Sequence, residues 1–439
     1  MSGQSLAQTL IEELTAVTMR DVDSRDLTRA RFHLLDWIGC AVAGGASESG
    51  KSFRSAITGG TTDMSFYLGA LGNILEMDDV DKRAILHPGP SIIPVAVALG
   101  SSLDLDMVEV LSAIIRGYEA TIRLGRAAGP GHYAVWHSTG TCGAVGAAAA
   151  ASSLMHLDAN KAAHALALGV SQSAGFWQTR HEPQSMGKQL HTAHASRAGH
   201  SAAMLANAGG RGPLEVLEGP QGFFAAMCPD GNPSQLLKDY EELWLIHQVS
   251  FKPWPACRHA HAAIDAALVV AEGLADTDEI ESVSIETYED ALKFCDKPEP
   301  QSVIEAKFSL QHSAAVAISR GKPELADFEL DAIQSSDLAA LRDKVKVAAS
   351  PTYNDAYPQR YGAGVVVVLS SGSVLSASAP DALGDPENPV SDELIIEKAK
   401  SLMIYGGASE ADAQSLCDLA LDETGSATAL MSKLEEVIS

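Results

Sequence analysis

The sequence predicts a mainly α protein with an α+β second domain. Residues 1–261 and 391–439 read as one large all-helical domain, and residues 262–390 as a smaller α+β domain inserted into it. Three observations predict this. Apolar residues recur at helical spacing through the first half, β-branched residues alternate after residue 262, and helical spacing returns over Asp392–Ile438. At 439 residues, two domains is also the expectation from length.

The helices follow in order. Ile11, Leu14 and Val17 share one face. Leu27–Gly45 carries the stripe Leu34, Leu35, Ile38 and Val42, with Gly44-Gly45 as its stop. Ser91–Ser102, Met107–Leu124, Thr139–Met155, Asn160–Ala174 and Gly187–Ala208 continue the pattern, the last ended by Gly209-Gly210. Their faces are rich in Ala, Gly and Ser, which lets helix backbones approach closely. In the second domain Val283, Ile285 and Thr287 alternate, as do Val345 and Val347. Gly364–Leu369 turns through Ser370-Ser371-Gly372-Ser373 into Val374-Leu375, which reads as a hairpin. The helix Ser309–Ser319 lies between these strands, and Gly384-Asp385-Pro386-Glu387-Asn388-Pro389 is the loop of the return crossing. The closing helices are expected to pack back on the first domain.

Charge and composition exclude several classes. A formal charge of −25 repels nucleic acid and anionic lipid, so neither is an expected partner. The same charge repels an anionic substrate, so a site for one needs its own cluster of Lys, Arg or His. The six cysteines form no C-x-x-C pair, which argues against a zinc ribbon or an iron–sulfur cluster. Met1–Leu14 lacks a basic start and a cleavage site, and the apolar stretch Ala144–Ala151 is too short to span a membrane. A cytoplasmic location with reduced thiols is the expectation.

Three segments share one design: a Gly- or Pro-containing loop, then His or Lys, then a helix of small residues. They are His87-Pro88-Gly89-Pro90, His137-Ser138-Thr139-Gly140-Thr141 and Gly187-Lys188-Gln189-Leu190-His191. A helix N-terminus presents unpaired N–H groups and partial positive charge, and an adjoining His or Lys extends it into an anion site. Lys188 stands where the helix dipole disfavours a cation, which points toward function over a solvated lysine. A fourth segment, Lys252-Pro253-Trp254-Pro255-Ala256-Cys257-Arg258, adds Lys252 and Arg258. His191, His194 and Arg197 fall on one helical face, where a polar stripe or a subunit contact is the plain alternative. His33, His156 and His164 read as ordinary core or capping histidines.

A metal-dependent hydrolase built on His191, His194, His259 and His261 is the reading of another class. It lacks an H-E-x-x-H motif and a carboxylate at ligand spacing, and Lys188 would repel the cation, so no metal is expected. Ser/His/Asp catalysis lacks a G-x-S-x-G elbow. Gly125–Gly131 lacks the strand context of a dinucleotide loop, so no cofactor is expected either.

The ordered series of motifs resembles the MmgE/PrpD family. It comprises Leu35-Asp36-Trp37-Ile38-Gly39-Cys40-Ala41, Glu76-Met77-Asp78-Asp79 with His87-Pro88, and Gly117-Tyr118-Glu119 with Arg123-Leu124-Gly125. His137–Thr141 and Lys188–His191 follow, then Gly212–Gly219, Lys252-Pro253-Trp254-Pro255 and Gly384–Pro389. The resemblance implies a cofactor-independent homodimer that acts on a small polycarboxylate, with its active site between the domains. Family members are 2-methylcitrate dehydratases, cis-aconitate decarboxylases and iminodisuccinate epimerases. The implied catalytic residues are His87, His137, Lys188 and Lys252, with Glu76, Asp79, His191, Arg258 and His312 toward substrate. Two substitutions depart from the family pattern where substrate is expected: Val80 replaces a threonine, and His312 stands where many members carry tyrosine. A non-catalytic binding protein is the third class, against which the joint presence of His87, His137, Lys188 and Lys252 argues.

The expected chemistry is removal of a proton beside a carboxylate, by a histidine near neutral pKa. Lys188 and Lys252 would stabilise the resulting enolate; unit charges ~4 Å apart gain about 4 kcal/mol at an effective dielectric near 20. Loss of a β-hydroxyl gives dehydration, the outcome taken first. Loss of a β-carboxylate gives decarboxylation, and return of the proton on the other face gives epimerisation. His137 is expected as the base and His87, beside Asp78 and Asp79, as the proton donor.

Overall fold

The computed structural model describes residues 8–57, 59–182, 184–275 and 277–438. Met1–Ala7, part of the segment read above for targeting signals, lie outside them. The chain divides into two compact units, residues 1–249 with 391–439 and residues 250–390.

The large unit is helical. Its longer helices are α1 (Leu10–Thr18), α2 (Ser24–Ala46), α3 (Thr61–Leu71), α4 (Gly89–Ser102), α5 (Met107–Ala128), α6 (Ser138–Leu154), α7 (Ala159–Val170) and α8 (Gly187–Asn207). Local capping sets several starts. Thr9 with Glu12 and Asp23 with Asp26 form capping boxes, and Asp106 and Asp158 accept from backbone N–H groups of the first turn. The small-residue faces do what the sequence suggests. A Cβ on Gly146 would lie 1.9 Å from Thr121 Oγ1, and one on Gly199 would lie 2.4 Å from Ala147 Cβ. Glycine at these positions is what lets α5, α6 and α8 pack at backbone distance.

After the small unit the chain returns through α11 (Asp392–Tyr405), α12 (Glu410–Leu421) and α13 (Ala427–Ile438), which join the first unit as expected. Their apolar residues Ala399, Met403, Leu416, Leu430 and Leu434 enter the same core as Leu34, Ile38 and Ile114.

The small unit carries a four-stranded sheet of β1 (Ile280–Thr287), β2 (Val345–Ala349), β3 (Ala363–Leu369) and β4 (Val374–Ala379), in the order β2-β1-β3-β4. β1 and β2 are parallel, with Val283 opposite Val345 and Ile285 opposite Val347. β3 and β4 form the antiparallel hairpin read from the sequence, with Val367 opposite Leu375 and Gly372 taking a φ of 84° in the turn. Helices α9 (His261–Ala271) and α10 (Leu310–Arg320) supply Ile264, Ala267, Ala314 and Val316 to a core that Val283, Ile285, Val365 and Val367 complete.

The first crossing between these units falls at 249/250, where the sequence reading placed its domain boundary at 261/262; the return crossing falls at 390/391. Hydrogen bonds explain the difference. Ser250 Oγ donates to Asp385 Oδ1 at 2.6 Å, Phe251 N–H to Gly384 O at 3.0 Å, and Cys257 N–H to Lys307 O at 2.8 Å. Residues 250–261 are thereby stitched into the small unit although they have no regular periodicity.

Candidate active site

The acidic segment 76–79 is the organiser of the large unit's polar centre. Glu76 sits at φ 60°, a left-handed conformation that turns the chain sharply, and its carboxylate accepts from Lys188 Nζ. Asp78 Oδ2 accepts from Asn73 Nδ2 at 2.7 Å and lies 3.0 Å from His87 Nδ1. That Nδ1 is also 2.8 Å from the Asp79 carbonyl oxygen. A carbonyl only accepts, so His87 Nδ1 carries the hydrogen and Nε2 is left as the working atom. The His87 backbone N–H donates to Thr139 Oγ1 at 3.0 Å, which ties this histidine to the first turn of α6.

Asp79 does not fit the substrate-binding role read from the sequence. Its carboxyl lies 2.8 Å from His33 Nδ1, accepts from Tyr118 OH at 2.7 Å and accepts from Gly89 N–H at 3.0 Å. Oδ1 holds the N-terminus of α4 and Oδ2 holds Tyr118 and His33, and burial pushes the group up to about 6. His33, assigned no role above, is thus part of the scaffold behind the site. His156, by contrast, is exposed beside Glu109, and His164 Nδ1 meets Gly212 O, as the plain reading expects.

Lys398 is a second organiser. From α11 it donates to Asp36 Oδ1 and to Met77 O, both at 2.6 Å, which fastens the acidic segment to the returning chain. Asp36 is pushed up to about 6 by burial.

His137 is the N-cap residue of α6, as the sequence places it. Its backbone N–H donates to Gly175 O at 2.9 Å, and its ring lies 4.5 Å from the Trp177 ring, centroid to centroid. Its Nδ1 is 3.2 Å from His191 Nδ1, while Nε2 is buried and meets no hydrogen-bond partner among the described residues. The ring titrates well below the usual histidine range, first because of burial and then because of Lys188, His191 and His87, against the pull of Asp78. Burial is the principal cause of this depression, ahead of neighbouring charge. His191 is pushed down to about 4 by burial, with His194 and Lys188 adding to it.

The other residues of that helical face separate. His194 Nε2 donates to Gln172 O at 3.3 Å, and the Arg197 guanidinium sits over Phe66 at 4.4 Å. They serve packing, whereas His191 serves the centre.

In the small unit Lys252 is buried, at 1% exposure. Arg258 is buried as well and pairs with Asp385 at 2.5 Å. His312 is corrected from its substrate-binding assignment. Its Nε2 donates to Asp327 O at 2.8 Å and its Nδ1 accepts from Arg342 Nη1 at 3.0 Å, so both ring nitrogens are used inside the unit. In the histidine set of the metal-hydrolase reading, one nitrogen of each small-unit ring is engaged within the unit. His259 Nδ1 is bonded to Tyr288 OH at 2.7 Å with its ring stacked on Phe294, and His261 Nε2 donates to Ala256 O at 3.1 Å. The group at ligand separation among the described residues is instead Asp381, Asp385 and Glu387. Arg360 pairs with Asp381, and Arg258 with Asp385, so two of the three carboxylates already have cationic partners.

Among the described residues no helix is long and apolar enough to cross a membrane.

Both halves of the chain match models of one family: residues 8–236 the MmgE/PrpD N-terminal domain and residues 254–423 the MmgE/PrpD C-terminal domain. The chain is 26% identical to a Homo sapiens cis-aconitate decarboxylase over 91% of its own length and 88% of that protein's. It is 24% identical to the 2-methylcitrate dehydratase of Salmonella typhimurium over 78% of each chain. It is 23% identical to that of Escherichia coli over 75% of this chain and 74% of the other.

Proposed function

The chain belongs to the MmgE/PrpD family, and on that premise we propose that it removes a proton from the carbon beside a carboxylate of a small di- or tricarboxylic acid, without a cofactor. The observation that carries the reading is His137: a buried, neutral imidazole with an unpartnered Nε2, in the electrostatic reach of Lys188 and His87. A neutral ring accepts a proton; a nearby ammonium stabilises the anion left behind.

In the proposed step His137 Nε2 takes the proton, the C–H electron pair becomes the enolate, and Lys188 faces the developing charge. Glu76 fixes Lys188 in place. With a β-hydroxyl present, the enolate expels it, a C=C bond forms, and His87, entering the step protonated on both nitrogens with Nδ1 held by Asp78 and the Asp79 carbonyl, donates its Nε2 proton to make the leaving group water. The outcome is dehydration of the 2-methylcitrate type. The family resemblance gives Lys252 a second carboxylate-binding role and Arg258 a supporting one.

Decarboxylation is the second reading, favoured by the 91% coverage of this chain in its match to the human cis-aconitate decarboxylase. In that reading no C–H proton is removed first: the C–C bond to a carboxylate breaks, carbon dioxide leaves, the electron pair left behind forms the carbanion that Lys188 faces, and a protonated histidine returns a proton to that carbon. Epimerisation of the iminodisuccinate type would return the proton to the opposite face. A homodimer is proposed as the working molecule, and sedimentation as a monomer at micromolar concentration would contradict it.

The test is a panel of methylcitrate, citrate, aconitates, tartrates and iminodisuccinates in heavy water, followed by NMR. Exchange beside a carboxylate with water formation supports the first reading, and carbon dioxide release supports the second. Activity that disappears on chelation and returns with one added metal would overturn the cofactor-independent mechanism.

A further inference from the structure

We infer that His191 is a positioning residue for His137: it accepts the Nδ1 hydrogen of His137 and so keeps the lone pair of His137 on Nε2. The assignment rests on the proposed function for its catalytic meaning, though its geometry stands apart from it.

The argument starts from the two facing atoms. His137 Nδ1 and His191 Nδ1 are 3.2 Å apart, so one of them carries the shared hydrogen and the other accepts it. If His191 donated, the single hydrogen of neutral His137 would sit on Nε2. That atom is buried and has no acceptor among the described residues, and an orphaned buried N–H is the rarer and costlier arrangement. If His137 donates, Nε2 is a bare lone pair, which is the state a proton acceptor needs. His191 then carries its own hydrogen on Nε2, in a half-buried ring.

The backbone is built to hold this pair. A Cβ on Gly140 would lie 2.9 Å from His191 Cβ. One on Gly175, whose φ is 133°, would lie 3.1 Å from His191 Cγ and 3.2 Å from its Nδ1. Glycine at both positions lets the His191 ring seat between two stretches of main chain. The Gly175 carbonyl also accepts the His137 backbone N–H, so one loop residue fixes both histidines. The groups bearing on the pair are Lys188 and His194 from α8, His87 ahead of α4, and Asp78 from the acidic segment. Three of them disfavour a second proton on the pair, and Asp78 alone favours it. A single shared hydrogen is the consequence at neutral pH.

The test reads the tautomer directly. Protein labelled with 15N-histidine is examined by two-bond 1H–15N correlation, with His137 identified by its loss in His137→Gln. Wild type is expected to show His137 as the neutral Nδ1–H form. His191→Leu, which removes the acceptor, is expected to move His137 toward Nε2–H and to lower kcat about tenfold with KM little changed. His191→Gln offers an amide oxygen to the same hydrogen and is expected to restore the tautomer and most of kcat. An Nε2–H signal for His137 in wild type overturns the assignment, as does a His191→Leu protein with unaltered tautomer and kcat. Should His191→Leu fail to fold, the wild-type tautomer still decides. The spectra need no substrate, so a polycarboxylate panel without any reaction would defeat the proposed function and leave this assignment to the tautomer alone.

Discussion

His137 in the large unit and His312 in the small unit are both buried histidines pushed toward the neutral form, yet they differ in the atoms left over. His312 spends Nε2 on the Asp327 carbonyl and Nδ1 on Arg342, which completes its hydrogen bonding. His137 spends only Nδ1, on His191, and keeps Nε2 unpartnered. Burial lowers the basicity of both, so a depressed pKa alone does not mark a catalytic histidine. The unused nitrogen near an ammonium does. His312 is a structural bolt and His137 a candidate base for that reason.

The sharpest way to break the contrast is to exchange each residue. His137→Gln is expected to lose about a hundred- to ten-thousandfold in turnover, the usual worth of a general base. Steady-state kinetics within tenfold of wild type would remove the distinction. Lys188→Ala is expected next, with a loss of about ten- to hundredfold shared between kcat and KM. Because it takes a cation away from the buried Glu76 carboxylate, its melting temperature should fall too, and Glu76→Gln/Lys188→Ala should recover stability without activity. Recovery of both would make the pair purely structural.

Asp78→Asn probes the proton donor. It weakens the hold on His87 Nδ1, so product formation should drop about tenfold while solvent exchange at the acidic carbon persists. Equal loss of both would move His87 to the proton-removing step. His312→Phe sits at the other end of the scale. It should cost about 1–3 kcal/mol in urea unfolding, through the bonds lost at the Asp327 carbonyl and Arg342 Nη1, and leave kcat unchanged. A kcat effect without a stability effect would return His312 to the substrate.

Acid sharpens the same comparison. His191, His200, His259 and His312 are each depressed to about 4 from 6.5. The unfolded chain binds their protons first, so stability present above pH 6.5 is lost as pH falls toward 4. Asp36 and Asp79, raised to about 6 from 3.8, act in the opposite sense, adding stability as pH falls between those values. Four histidines outnumber two aspartates, and denaturation midpoints should fall from pH 7 to pH 4.5. A rise would show that the carboxyls dominate.

What could be read in the sequence follows from what periodicity encodes. α2, α4, α5, α6 and α8 were visible from apolar spacing and small-residue faces, and the β3–β4 hairpin from its alternation and turn residues. His137 at a helix start and Lys188 at another were visible for the same reason. The roles of adjacent carboxylates were not. Asp78 faces His87 while Asp79 faces His33 and Tyr118, and this is settled by a turn at Glu76 and by partners far along the chain. Lys398 reaches Asp36 across 362 residues, and His33 reaches Asp79 across 46. No local pattern carries such pairings. The family resemblance places His191 toward substrate, but the position of His137 against it is a tertiary fact. The first domain crossing was misplaced because the segment from Ser250 to His261 is held by hydrogen bonds and lacks a repeating apolar pattern.

The most direct test of the central claim is deuterium incorporation by wild type and His137→Gln, followed by NMR on whichever polycarboxylate of the panel wild type exchanges. The account predicts rapid exchange at the carbon beside a carboxylate in wild type and at least about a hundredfold slower exchange in the variant, with circular dichroism and melting unchanged. Exchange at the wild-type rate in a folded His137→Gln protein would contradict it.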